Sequence, residues 1–127
     1  LIEDDESLRF TVKEILEKQN VQIMEAENGK VGMNILQNEE IKPDLILLDL
    51  MMPVMNGFEF LKAIRETELN SIPILVLTGA ELSEDEKKFL SGETQRILEK
   101  SEDTMSTIVN EVSNVIKASS FKNGDNK

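Results

Sequence analysis

The chain has 127 residues, and 25 acidic against 14 basic side chains give a net charge of −11, a length suited to one domain around one hydrophobic core. With no cysteine and no histidine, it can supply no disulfide, thiolate zinc site, Ser–His triad, His-ligated metal or phosphohistidine of its own. Site chemistry is left to Asp, Glu, Lys, Ser, Thr and the backbone, a set that suits a hard cation such as Mg²⁺, and the acidity argues against a nucleic-acid-binding face.

In chain order, Leu1-Ile2 reads as the end of a strand rather than its start, which points to missing residues upstream or to a domain cut from a longer protein. The acidic residues that follow can cap a helix whose apolar set is Phe10, Val12, Ile15 and Leu16. Val21–Ala26 reads as a short strand, and Val31, Ile35 and Leu36 mark a second helix. The run DLILLDL after Pro43 is nearly all apolar, as in a strand covered on both faces. Met51 to Gly57 is a loop, and Phe58, Leu61 and Ile64 share one face of the next helix. Ile72–Leu77 is another apolar strand, with Pro73 near its start, where a strand tolerates it. Ser83 and Glu86 have capping-box spacing. Gln95–Glu99 is a weaker strand, and Met105, Ile108, Val109, Val112, Val115 and Ile116 follow the helical period. The last residues, 119–127, read as a frayed polar tail, which leaves 1–118 as the domain. No stretch approaches the roughly 20 apolar residues of a membrane span, and the opening LIEDDE has no basic n-region.

Strand and helix thus alternate five times. This predicts an α/β domain with a doubly wound, five-stranded parallel sheet and helices on both faces. In such a sheet ligands bind beyond the carboxyl ends of the strands. With strand order 2-1-3-4-5, Glu3, Asp4 and Asp49 would converge there, facing Thr78 and Lys100 at the ends of the fourth and fifth strands. Taken singly, these residues have ordinary readings: a helix-capping cluster, a strand terminator, a turn and a surface lysine. Their meeting on one sheet edge is the signal. Converging carboxylates repel one another, so such a site recruits a divalent cation or holds a proton. Asp49 could be metal ligand and nucleophile at once, with Lys100 and Thr78 on the outer oxygens of a phosphoryl group.

The segments LIEDDESLR, PDLILLDLMMPVMNGFEFLKAIR, IPILVLTG and ILEK resemble the receiver domains of two-component response regulators over nearly the whole chain. The resemblance implies a flavodoxin-like fold and a Mg²⁺-dependent phosphoacceptor. Glu3 and Asp4 match the metal-binding acidic pair, with Asp5 a bystander. Asp49 matches the phosphoacceptor, and Met51 the position whose backbone carbonyl completes the metal shell. Thr78 matches the switch hydroxyl, Gly79 should offer a backbone N–H, and Lys100 matches the phosphate-binding lysine. A sensor histidine kinase or a histidine phosphotransfer domain would be the phosphoryl donor, meeting the first helix and active-edge loops near Phe10, Met52 and Val54. No direct nucleic-acid or membrane contact is expected of the domain. Its setting would be the cytoplasm or the cytoplasmic portion of a membrane sensor kinase.

Two positions depart from the family pattern. Ser101 stands where proline usually follows the lysine, so a trans Lys100–Ser101 peptide or a rearranged turn is expected, since a cis non-proline bond costs about 2.5–4 kcal/mol. Ile97 stands where the switch aromatic usually lies. The charged segment before ILEK, and a chain that ends after the fifth helix, resemble the receivers of hybrid sensor histidine kinases or a stand-alone receiver. A competing reading is a pseudo-receiver that binds partners without phosphorylation. An aspartate-nucleophile hydrolase would want a second Asp where Met51 stands, and a flavin site would want a Ser/Thr/Gly-rich loop after the first strand. Met51 and Ala80 cannot orient an attacking water, so slow self-dephosphorylation is expected.

Overall fold

The computed structural model describes residues 1–38, 40, 42–79, 81–94, 96–100 and 104–125. Three parallel strands, β1 (Ile46–Asp49), β2 (Ile74–Thr78) and β3 (Arg96–Glu99), pair in the order β1-β2-β3. Five helices surround them: α1 (Glu6–Glu17), α2 (Gly29–Asn38), α3 (Gly57–Arg65), α4 (Glu84–Glu93) and α5 (Thr104–Asp125), with a short 3₁₀ turn at Glu68–Ser71.

Strands β1 and β2 are buried on both faces, and their side chains divide with period two. Ile46, Leu48, Ile74 and Val76 face one cluster, closed by Met33 and Leu36 of α2, Phe60, Leu61 and Ile64 of α3, and Leu90 of α4. Leu47, Leu75, Leu77 and Leu98 face the other, closed by Val12 and Leu16 of α1 and by Ile108 and Val112 of α5. Helices on both faces explain the continuous apolar runs of β1 and β2: every position of these two strands is buried, so none alternates with solvent. Pro73 stands just before β2, and its carbonyl accepts from Ile46 N–H at 3.0 Å, so the ring gives up no ladder bond.

Two expected strands are present only as bridges. Ile2 pairs in parallel with Ala26 on one side and Leu48 on the other. Four backbone bonds hold this segment: Ile2 N to Leu47 O (2.8 Å), Asp49 N to Ile2 O (2.9 Å), Glu3 N to Ala26 O (3.0 Å) and Ala26 N to Leu1 O (2.9 Å). Neighbouring segments therefore follow the expected spatial order, but Leu1–Glu3 offers too few residues for a ladder, and the described bonds of 21–26 to it are at Met24 and Ala26. Phe58, Leu61 and Ile64 pack on one cluster, as expected, and Phe60 joins them. Phe60 is fully buried on α3, whereas Phe58 is half-buried and tilts against Phe89 with ring centroids 6.3 Å apart. The backbone of α5 stays helical to Asp125, through most of the segment expected to be a frayed tail.

Candidate functional site

The carboxyl ends of β1, β2 and β3 and the turn after Ile2 meet at one edge of the sheet. Asp49 is the last residue of β1, Thr78 the last of β2, and Lys100 directly follows β3. Lys100 N–H donates to Thr78 O at 2.8 Å, which extends the β2–β3 pairing by one step and aligns the lysine with the ladder. Glu3, Asp49 and Thr78 are buried, at 0%, 2% and 1% exposure, while Asp4 is exposed.

One carboxylate oxygen from each of Glu3, Asp4 and Asp49 lies within 4.8 Å of the others. The Lys100 ammonium sits among them, 3.2 Å from Glu3 Oε2 and 3.3 Å from Asp49 Oδ1. Glu3 is held at several atoms: its N–H by Ala26 O, its carbonyl by Arg9 Nη1 at 2.8 Å, and its Oε1 by Asp5 N–H at 3.1 Å. Its Oε2 is within ion-pair reach of Lys100, yet no described residue aligns to hydrogen-bond it. Met51 N–H approaches Asp49 Oδ1 at 3.4 Å, while the Met51 side chain points out, 62% exposed.

The electrostatics follow from burying acids together. Glu3 is raised from 4.5 to about 7, first by burial and also by the Asp49 charge, against the Asp5 N–H and Lys100. Asp49 is raised by burial and by its hydrogen bond with Asp4, partly offset by Lys100 and Met51 N–H. Burial works against the Lys100 ammonium, but attraction to Glu3 and Asp49 wins and its pKa is raised. A cluster of hard oxygen donors with one buried oxygen lacking a hydrogen bond fits a small divalent cation of the Mg²⁺ type.

The loop after β1 is shaped by close packing. A Cβ on Gly57 would stand 2.6 Å from Asp49 O and 2.7 Å from Leu50 Cα, so only glycine lets α3 start this near the site. Asn56 caps α3 in a capping box with Glu59, and Asp5 caps α1 by accepting from Leu8 N–H. Asp5 is thus more than a bystander, because it closes α1 and orients Glu3. Arg9 was also missed, although it stands one turn into the helix after the acidic group. Ile97 pairs with Val76 and packs on the core as a half-buried aliphatic. Ser101 and Ala80 lie outside the described residues, and with them the expected Lys100–Ser101 geometry. Of the three apolar residues expected near a partner, Phe10 and Val54 are exposed and Met52 is buried in the core. A cavity of about 460 Å³ lies between the 21–26 segment and the start of β1, among residues such as Val21, Ile23, Pro43 and Leu45, and is lined by none of the converging carboxylates.

The model of the response regulator receiver domain family matches residues 1–113. The chain belongs to this family. Receiver domains are modules of two-component signalling, and this one has their flavodoxin-like fold. Its relatives include the transcriptional regulatory protein CpxR of Escherichia coli K12, 37% identical over 82 residues, or 65% of this chain and 34% of CpxR. The chain thus spans about a third of the length of such regulators. Among solved structures, the Mn²⁺-bound form of the response regulator Rcp1 is 27% identical with a TM-score of 0.74, covering 86% of each chain. The phosphorylated cyanobacterial phytochrome response regulator RcpA is 27% identical, also with a TM-score of 0.74, covering 90% of this chain and 86% of that one. Among the described residues, no helix is long and apolar enough to cross a membrane.

Proposed function

We propose that this receiver domain accepts a phosphoryl group on Asp49 from a phosphohistidine of a sensor histidine kinase or a histidine phosphotransfer domain, with Mg²⁺ bound by Glu3, Asp4, Asp49 and the Met51 carbonyl. The observation that carries this reading is the convergence of Glu3, Asp4 and Asp49 around the Lys100 ammonium at the carboxyl edge of the sheet. The Mn²⁺-bound Rcp1 and the phosphorylated RcpA lend support, since both the ion and the modification occur in proteins of this likeness.

In this reading, an Asp49 carboxylate oxygen forms a bond to phosphorus as the P–N bond of the phosphohistidine breaks, and the imidazole leaves on the partner. When bound, Mg²⁺ neutralises the carboxylates and the incoming phosphoryl oxygens, which otherwise repel one another. Lys100 turns from Glu3 and Asp49 to a phosphoryl oxygen, a short move because it already spans the two acids. Thr78 supplies its hydroxyl to another oxygen, and Gly79 a backbone N–H. The exposed side chains of Phe10 and Val54 offer apolar contact to a docking helix. The domain itself engages no nucleic acid and no membrane, in keeping with its charge of −11, and it works in the cytoplasm as a stand-alone receiver or as part of a hybrid histidine kinase.

Incubation with acetyl phosphate tests this directly. Wild type should gain one phosphoryl group in Mg²⁺ and none in EDTA, read by intact mass, and Asp49→Asn should gain none. Equal labelling of Asp49→Asn would overturn the assignment, and a wild type that neither labels nor binds Mg²⁺ would return the chain to the phosphorylation-independent reading.

A further inference from the structure

Arg9 projects from the first turn of α1 and is largely buried, with 19% of its side chain exposed. Its Nη1 donates to Glu3 O at 2.8 Å, and its Nε pairs with Glu25 Oε1 at 3.4 Å. The other Glu25 oxygen is held by Lys13 at 3.1 Å. The guanidinium therefore ties three segments together: the turn after Ile2, helix α1, and the segment that ends at Ala26.

The carbonyl it holds belongs to the Glu3–Asp4 peptide. Glu3 N–H is already fixed on Ala26 O. That N–H lies in the preceding peptide, so holding the carbonyl as well pins the planes on both sides of the Glu3 Cα and sets the direction in which the exposed Asp4 leaves the chain. One peptide further on, Asp5 N–H donates to Glu3 Oε1 at 3.1 Å and orients that carboxylate. We propose that Arg9, anchored by Glu25, is a positioning residue of the acidic site: it aims Asp4 and Glu3 at Asp49 so that their oxygens converge before an ion arrives. This rests on the Mg²⁺ reading above and adds to it a residue that touches neither ion nor phosphoryl group. Partners behind the direct ligands commonly matter tenfold or more to affinity, because they settle ligand orientation in advance.

Charge and position predict opposite signs here, which makes the proposal testable. By charge alone, a guanidinium beside a cation site repels the ion, so its removal would tighten binding. As a positioning group, its removal loosens the carboxylates and weakens binding. Arg9→Met keeps the apolar stem and removes the charge. Arg9→Lys keeps the charge but loses the planar fork that reaches Glu3 and Glu25 together. Mg²⁺ titration calorimetry should show about tenfold weaker binding for Arg9→Met and a smaller loss for Arg9→Lys. In the ion-free protein, Asp5 amide exchange should quicken in both. Arg9→Met binding as tightly as wild type or more so, with unchanged melting, would overturn the proposal. If Arg9→Met does not fold, the Arg9→Lys arm decides: affinity equal to wild type overturns it. If wild type binds no Mg²⁺, the functional reading falls on its own. Asp5 exchange still judges Arg9, and an unchanged rate in the variants overturns the positioning role.

Discussion

Two residues beyond Asp49, the Met51 side chain is 62% exposed and carries a thioether that is at best a weak acceptor. A thioether cannot orient a water that attacks an aspartyl phosphate, and the side chain of Ala80, two positions after Thr78 in the sequence, is only a methyl. Replacing Met51 with Asn and Ala80 with Glu together should speed decay of the phosphorylated domain about tenfold, well within what positioned acid–base groups supply. Decay followed by intact mass after phosphodonor removal checks this, and an unchanged half-life would count against it. In the same loop, Val54 adopts φ 69° while 72% exposed. The left-handed region costs a β-branched residue about 1–2 kcal/mol, and nothing buried there repays it. Asn tolerates that conformation, so Val54→Asn should stabilise the domain by about 1 kcal/mol, read as a higher urea midpoint. The strain was invisible in the sequence, because Pro53 and Gly57 carry the turn signals around it.

Helix α4 shows how lightly an element can be attached. Leu90 is the one residue of α4 fully buried in the core. Its capping box, Ser83 with Glu86, closes its start. Beyond that, Arg65 of α3 reaches across to Glu93 through Nη2 at 2.5 Å and Nε at 3.1 Å, and lies over the Phe89 ring at 5.3 Å. A bidentate pair with a stacked ring has defined geometry, though water screens the half-exposed arginine. Arg65→Ala should cost about 1 kcal/mol in denaturant and should raise hydrogen exchange in α4 more than in α1 or α5. At this scale the sequence was most legible where one physical rule ruled alone. The unbroken apolar runs of β1 and β2 could only be two-sided strands, and Ser83 with Glu86 could be read from spacing. Legibility failed where tertiary partners decided the outcome. Phe58 and Phe60 both suit a helix face, and the position of β1 buries the second. Residues 21–26 alternate like a strand, yet they form only a bridge at Ala26 and a bond from the Leu1 amino group to Met24 O. Glu3, Asp4, Asp49, Thr78 and Lys100 could be gathered from the sheet-edge rule, whereas Arg9 and Glu25 meet Glu3 only through the fold.

For the molecule as a whole, folding buries acids that water would otherwise solvate. In the ion-free protein the folded Glu3 holds its proton up to about pH 7, against 4.5 for the ordinary side chain, and Asp49 is shifted in the same direction. Between those values the folded state binds more protons than the unfolded chain. Stability from these groups is therefore present below about 4.5 and lost as the pH rises toward 7. Thermal melts in EDTA should show a falling contribution across that window. Excess Mg²⁺ should flatten or reverse it, because an ion that binds only the folded site replaces the proton and adds stability by mass action. Identical profiles with and without Mg²⁺ would count against a cation site. Ile2 gives this linkage a mechanical side. It bridges Ala26 and Leu48, and the acids that come next in the chain face Asp49 beyond that bridge. A ligand gripping both sides would rivet the seam shut, so loading the site should slow exchange of the Ala26 and Asp49 amides.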